Sequence, residues 1–172
     1  MLFRSVLNNV TPIWTAAQAG SSWVSFAQTG PNPTVVVAPN GNYWFDETFT
    51  TLAGETYTGG ISVMADDTVA VFLNGHLENM PTNPGNFGHC SEGVPTCMFP
   101  TSITFNSADF IIGGSNTVEF QLIQGGLQQL GLDYIGSVTG TPNAPTPEPG
   151  SLILLGTGLV GSAGMLFRRR RS

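Results

Sequence analysis

Two adjacent aspartates, Asp66 and Asp67, stand directly before a β-branched run that ends in an Asn-Gly pair, Asn74 and Gly75. A carboxylate pair can share a proton as an acid/base couple, hold a divalent cation with nearby oxygens, or accept hydrogen bonds from turn amides. Neighbouring side chains on an extended backbone point to opposite sides, which argues against the couple unless the peptide bends. Calcium held by Asp66, Asp67 and loop oxygens such as Asn74 is one reading. An ordinary turn, its carboxylates capping backbone N–H groups, asks less of the chain.

Cys90 and Cys97 are the two cysteines, six residues apart with Gly93 and Pro95 between them. In an oxidising compartment they are expected to form a disulfide closing an eight-residue ring, worth roughly 2–3 kcal/mol in the chain-entropy model. The competing reading is a metal site with His89 and His76, but one C-x6-C beside a histidine is a weak zinc pattern. Catalysis needs converging polar groups, and this chain has two His, no Lys, and no GxSxG, HExxH or P-loop sequence. The expectation is a protein that is not an enzyme. Tyr43 and Trp44 would suit a sugar-stacking platform, although aromatic residues in a β domain more often belong to its core.

The most ordered chemistry lies at the C-terminus. Pro147-Glu148-Pro149 ends a Pro-rich spacer, residues 150–167 are an uncharged run, and Arg168, Arg169, Arg170 and Arg171 follow. Eighteen residues make a helix of roughly 27 Å, close to the thickness of a bilayer's hydrocarbon core. Glycines at 150, 156, 158, 161 and 164 are tolerated in lipid, where the backbone must bond to itself. A cation cluster beside a span stays cytoplasmic, so the rest of the chain is expected outside.

These three parts in this order resemble the PEP-CTERM sorting signal of exported bacterial proteins, a segment also catalogued as the C-terminal domain of ice-binding proteins. The resemblance implies export, transient anchoring in the inner membrane, cleavage near Pro-Glu-Pro by an exosortase, and delivery to the cell surface or extracellular matrix. The ice-binding name travels with the tail and not with the body.

Residues 5–167 contain all eleven acids and neither Lys nor Arg, a formal charge of −11. Such a surface repels phosphate, which argues against nucleic acid and anionic headgroups but leaves divalent cations and neutral sugars compatible. With only 9% charged residues and 22 glycines, the body suits an extracellular all-β domain with many turns. The expected organisation is an N-terminal segment over 1–19 that is the remnant of a leader, a β-sandwich over 20–138, a Pro/Thr linker over 139–149, and a single transmembrane helix with its Arg cluster over 150–172. Residues 1–5 contain one Arg, but Asn8, Asn9 and Pro12 interrupt any signal core, and Ala17-Gln18-Ala19 looks like a cleavage box. A truncated leader is therefore expected.

Within the body, strands are expected over 23–27, 34–38, 43–51, 57–65, 68–73, 101–106, 117–124 and 130–138, with a short element over 109–112. Asn74-Gly75 predicts a type I′ hairpin turn. Val69, Val71 and Leu73 alternate with Thr68, Ala70 and Phe72, so both faces of that strand are apolar and it should lie between two layers. Val118, Phe120 and Leu122 alternate with Thr117, Glu119 and Gln121, the pattern of an antiparallel strand with one wet face. Residues 76–100 have no periodicity and four prolines, and read as a long loop.

The run 65–75, ADDTVAVFLNG, resembles the core of galactose-binding-like jelly rolls and of protective-antigen-like adhesin domains, and 115–138 resembles their closing strands. That resemblance implies an antiparallel, jelly-roll-like sandwich, and in some of those adhesins a calcium-held sugar. The expected function is that of a non-catalytic structural protein of the envelope or matrix. Its alternative is a carbohydrate-binding module, with or without calcium, for extracellular polysaccharide.

Overall fold

The computed structural model describes residues 14–26, 38–84, 90–126 and 129–144, and residues 2–4 for their backbone. His89, most of the strand expected over 34–38, Pro147-Glu148-Pro149, the 150–167 run and the four arginines lie outside the described residues. Among the described residues, no helix is long and apolar enough to cross a membrane.

Among the described residues the body has eight strands: β1 (Leu2–Arg4), β2 (Gly41–Thr50), β3 (Glu55–Asp66), β4 (Thr68–Leu73), β5 (His76–Leu77), β6 (Thr101–Thr104), β7 (Ser115–Gln124) and β8 (Gly131–Pro142). One sheet has the order β1-β8-β3-β6 and the other β2-β7-β4-β5. Every pairing is antiparallel. Interleaving strands in this way winds two Greek keys into a jelly roll. The sequence expectation of an all-β antiparallel sandwich holds for the body.

Period-2 patterning decides which residues form the layer between the sheets. Tyr57, Ile61, Val63 and Ala65 of β3, Val69, Val71 and Leu73 of β4, Val118, Phe120 and Leu122 of β7, and Leu132, Tyr134 and Val138 of β8 are buried together. Phe120 and Tyr134 stack from opposite sheets with ring centroids 4.5 Å apart. The Tyr134 hydroxyl donates to Glu47 across 3.3 Å. Burial, reinforced by the neighbouring Glu47 charge, pushes that hydroxyl well above the ordinary phenol range. At one end of the core Phe110 lies within ring-contact distance of Phe49, Tyr57 and Phe105.

The Asn74-Gly75 turn has positive φ at both residues, 52° and 81°, as a type I′ turn requires, and it joins β4 to β5 with Leu73 opposite His76. The chain crosses from one sheet to the other at Asp67, the single residue between β3 and β4.

Several expected boundaries move. The strand expected over 23–27 is a single bridge, Val24 opposite Leu132, and the element expected over 109–112 is a 3-10 turn over Ser107–Asp109. β8 pairs with β3 as far as Pro142 opposite Glu55, so the linker expected from 139 begins only after Pro142. Of the segment expected to be a leader remnant over 1–19, the described residues 2–4 and 14–19 lie against the sandwich. β1 extends the sheet beside β8, and Trp14 and Gln18 are hydrogen-bonded to the strands of that sheet.

Candidate functional site

Asp66 and Asp67 are both fully buried, joined by a cis peptide, and serve different partners. Asp66 accepts the indole N–H of Trp14 at 2.6 Å through Oδ2 and the backbone N–H of Cys90 at 3.4 Å through Oδ1. Asp67 Oδ2 accepts the Gly125 N–H at 2.6 Å. Both carboxylates are thus engaged with donors of the protein, in line with the capping reading. Asn74 lies at the far end of β4, about 20 Å away at a strand's rise per residue. The structure therefore does not bring Asp66, Asp67 and Asn74 together as a calcium ligand set. Among the described residues no group of three or more His, Cys, Asp or Glu is placed to hold a metal.

Asn74 belongs to a different assembly. Its amide donates to the Asp109 carbonyl at 2.7 Å and to Asn116 Oδ1 at 2.8 Å, while its own oxygen accepts the Thr117 N–H at 2.9 Å. Asn116, fully buried, also accepts the Ile111 N–H at 2.8 Å and donates to the Ile111 carbonyl at 3.0 Å. These two amides knit the hairpin turn to the 107–114 loop. Nearby, Glu78 accepts the Asn106 N–H at 2.8 Å, and burial raises its carboxyl above the usual carboxylate range. His76 sits 3.7 Å from Asp109.

Cys90 and Cys97 are bonded in the structure, with Cα atoms 5.2 Å apart. They cluster with Trp14, Trp23 and Met64 on the outward side of β3, where the two indoles stack at 4.6 Å. The cysteine ring is tied to the crossing between sheets, since Ala65 N–H donates to Thr96 O, Ser91 N–H to Asp67 O, and Thr68 Oγ1 to Pro95 O. A side chain at Gly131 would overlap the Trp14 ring, so the strap formed by residues 14–18 needs glycine there. Asp133 completes the covering by accepting from the Gln18 backbone at 2.9 Å. The Cys90→Ser/Cys97→Ser double variant is expected to lose about 2–3 kcal/mol of unfolding free energy, read from urea midpoints. An unchanged midpoint would show that the hydrogen bonds of the ring suffice alone.

Beyond that cover, the same face of the β8-β3-β6 sheet opens into a groove of about 580 Å³ lined by small residues, among them Thr58, Gly60, Ser62, Ser102, Ser137 and Thr139. It presents hydroxyls and no titratable side chain among its lining residues.

The opposite sheet has a different outer face. Along β2, Tyr43, Phe45, Glu47 and Phe49 are turned inward or half-buried, whereas Trp44, Asp46 and Thr48 are exposed. Adjacent Tyr43 and Trp44 therefore cannot form one platform, and Tyr43 packs on the core instead. Trp44 is 56% exposed, and its partner is Phe72, with ring centroids 5.9 Å apart and planes tilted by 34°. The pairing register explains the meeting. Trp44 is opposite Gln121 and Asp46 opposite Glu119 on β7, while Glu119 is opposite Phe72 and Gln121 opposite Ala70 on β4. The small Ala70 leaves room in its row, and the indole and phenyl rings approach diagonally across β7. Leu77, opposite Phe72 on β5, is also exposed.

This face combines the exposed Trp44 ring beside the half-buried Phe72 ring, two carboxylates and an amide. Such a surface can stack against the C–H face of a pyranose while polar groups meet its substituents. Phe72 was read from sequence only as a residue on an apolar strand, because its partnership with Trp44 spans three strands.

Comparison with known proteins adds two observations. Among solved structures, a family 35 carbohydrate-binding module from an environmental isolate is similar at 12% identity, covering 84% of this chain and 91% of that one with a TM-score of 0.37. The C-terminal domain of EclA, described as a sugar-binding protein, is similar at 12% identity, covering 69% of this chain and 89% of that one with a TM-score of 0.33. No curated protein matches the chain. Residues 145–171 match the PEP-CTERM protein-sorting motif, and the chain therefore carries that motif at its C-terminus.

Proposed function

We propose that this chain is the precursor of an exported envelope or matrix protein, and that its sandwich has a non-catalytic, structural role there. The sorting motif over 145–171 carries the reading. In this account the 150–167 run lies in the inner membrane with Arg168, Arg169, Arg170 and Arg171 on the cytoplasmic side, and the body is outside. An exosortase then cuts near Pro147-Glu148-Pro149. The cation-free composition of residues 5–167 agrees with that topology, since no basic cluster competes for the cytoplasmic side. The bonded cysteines agree with an oxidising destination.

In a host that carries an exosortase, the wild-type chain is expected to yield a shorter product that lacks the tail. Replacing all four arginines by Gln should leave the uncut precursor as the main species on an immunoblot. An unchanged mature product in that variant would overturn the proposal.

A second reading, glycan binding, is favoured by the exposure of Trp44 beside Phe72. A buried position would have marked it as core; exposure beside a second ring favours a contact surface. The two readings are compatible, because a matrix protein that holds polysaccharide is still structural.

A further inference from the structure

We infer that the outer face formed by β2, β7 and β4 binds a polysaccharide of amino sugars with free ammonium groups, with Trp44 and Phe72 as its stacking floor and Asp46 with Glu119 as its counter-charge. This rests on the glycan-binding reading of the same face and specifies the sugar.

The rings come first. Trp44 sits at the middle of a ten-residue strand and is exposed, although a residue there could turn its side chain into the core only by changing the register of the whole strand. It faces solvent as part of a tilted aromatic pair whose second member, Phe72, is only partly covered. A hexose ring laid on such a pair buries its own C–H surface and keeps its hydroxyls wet.

The charges then choose among hexoses. Asp46 and Glu119 are direct cross-strand partners, and Glu119 is the direct partner of Phe72. Like charges directly opposite one another destabilise a sheet. Residues 5–167 supply no Lys or Arg to offset them. Trp44 and Asp46 are two residues apart on one strand, about 7 Å, and Glu119 is about 5 Å further across the sheet. A sugar stacked on the indole thus carries its substituents to the carboxylates. An ammonium group there offsets one of the two negative charges and gains attraction to the indole face. Uronic acids and sulfated sugars would be repelled, and neutral sugars would leave the two carboxylates uncompensated. Gln121, opposite Trp44, offers both a donor and an acceptor to the remaining hydroxyls.

Calorimetric titration of the full chain in detergent with three hexasaccharides tests this: fully deacetylated glucosamine, fully N-acetylated glucosamine, and glucose. The glucosamine oligomer is expected to bind at least tenfold more tightly than the other two. Asp46→Asn/Glu119→Gln should erase that preference without lowering the melting temperature, and Glu92→Gln, which removes an exposed carboxylate of the 90–100 loop, should leave it intact. Trp44→Ala should weaken all three oligomers. Equal binding of the three, still dependent on Trp44, would overturn the amino-sugar assignment and leave the glycan reading standing. A preference that survives Asp46→Asn/Glu119→Gln would assign it to the overall charge of the body and overturn the site. Binding of none of the oligomers would overturn the glycan reading itself.

Discussion

Asp66→Ala is expected to destabilise the sandwich by about 3–5 kcal/mol, because it strips a buried acceptor from two donors at once. The Trp14 indole N–H loses a 2.6 Å bond and the Cys90 amide a longer one, and neither donor has water to turn to in that covered region. The consequence reaches beyond one hydrogen bond. Trp14 lies on Trp23, the pair covers Met64 and the disulfide, and Gln18 follows close behind with its bonds to Asp133 and Ser62. Releasing the indole frees the strap that covers one end of the sheet. Asp66→Asn keeps the size and one acceptor, so its effect should be less than half as large. A double-mutant cycle with Trp14→Phe isolates the pair, and a coupling energy of about 1.5–3 kcal/mol is expected. Equilibrium urea unfolding followed by tryptophan fluorescence measures it. A loss below 1 kcal/mol for Asp66→Ala would mean that the strap is held by ring stacking alone.

Asn116→Ala is expected to cost about 3–4 kcal/mol, again through buried groups left unpaired. Asn116 is an inward-facing polar residue of β7, in a series that continues with Val118, Phe120 and Leu122 and ends in the buried Gln124. It is kept there because its amide satisfies both backbone groups of Ile111 together with the side chain of Asn74. Asn116→Asp keeps the acceptor for Ile111 N–H but loses the donor to Ile111 O, and should fall between the two. Hydrogen exchange separates this role from general destabilisation: the Ile111 amide should lose protection by a larger factor than the amides of β3 and β8. Uniform loss across all strands would contradict a local anchoring role for Asn116.

The parts of the molecule legible in the sequence are those whose information is local. Val118, Phe120 and Leu122 announce β7 through strict alternation, and Asn74-Gly75 announces its turn because only a few residue types accept two successive left-handed conformations. The apolar run of β4 correctly signals a strand covered on both sides, with only Phe72 partly open. What was not legible depends on partners distant in the chain. Trp14 reads as part of a loose N-terminal stretch until Asp66, 52 residues on, claims its N–H. Residues 139–142 read as linker because Thr, Gly and Pro are abundant there, yet a strand already aligned with β3 continues while its partner continues.

The candidate site shows the same division. Asp66, Asp67 and Asn74 are near one another in the sequence, and for that reason looked like one ligand set. A fully extended β4 separates them to opposite ends of the sandwich. Trp44 was visible as an aromatic residue of uncertain side, whereas the Asp46–Glu119 opposition and the Phe72 ring needed the register of three strands.

β8 is paired with β3 through all twelve of its residues, from Gly131 opposite Asp66 to Pro142 opposite Glu55. In the proposed topology the tether to the membrane would begin beyond the last of them. Tension applied along the axis of β8 therefore loads many backbone bonds side by side, in shear, and rupture needs most of them to fail together. The same tension across the axis would unzip them one at a time. A chain moored as proposed would resist drag best in one direction, and cutting near Pro147-Glu148-Pro149 would remove the mooring without touching a rung of the ladder.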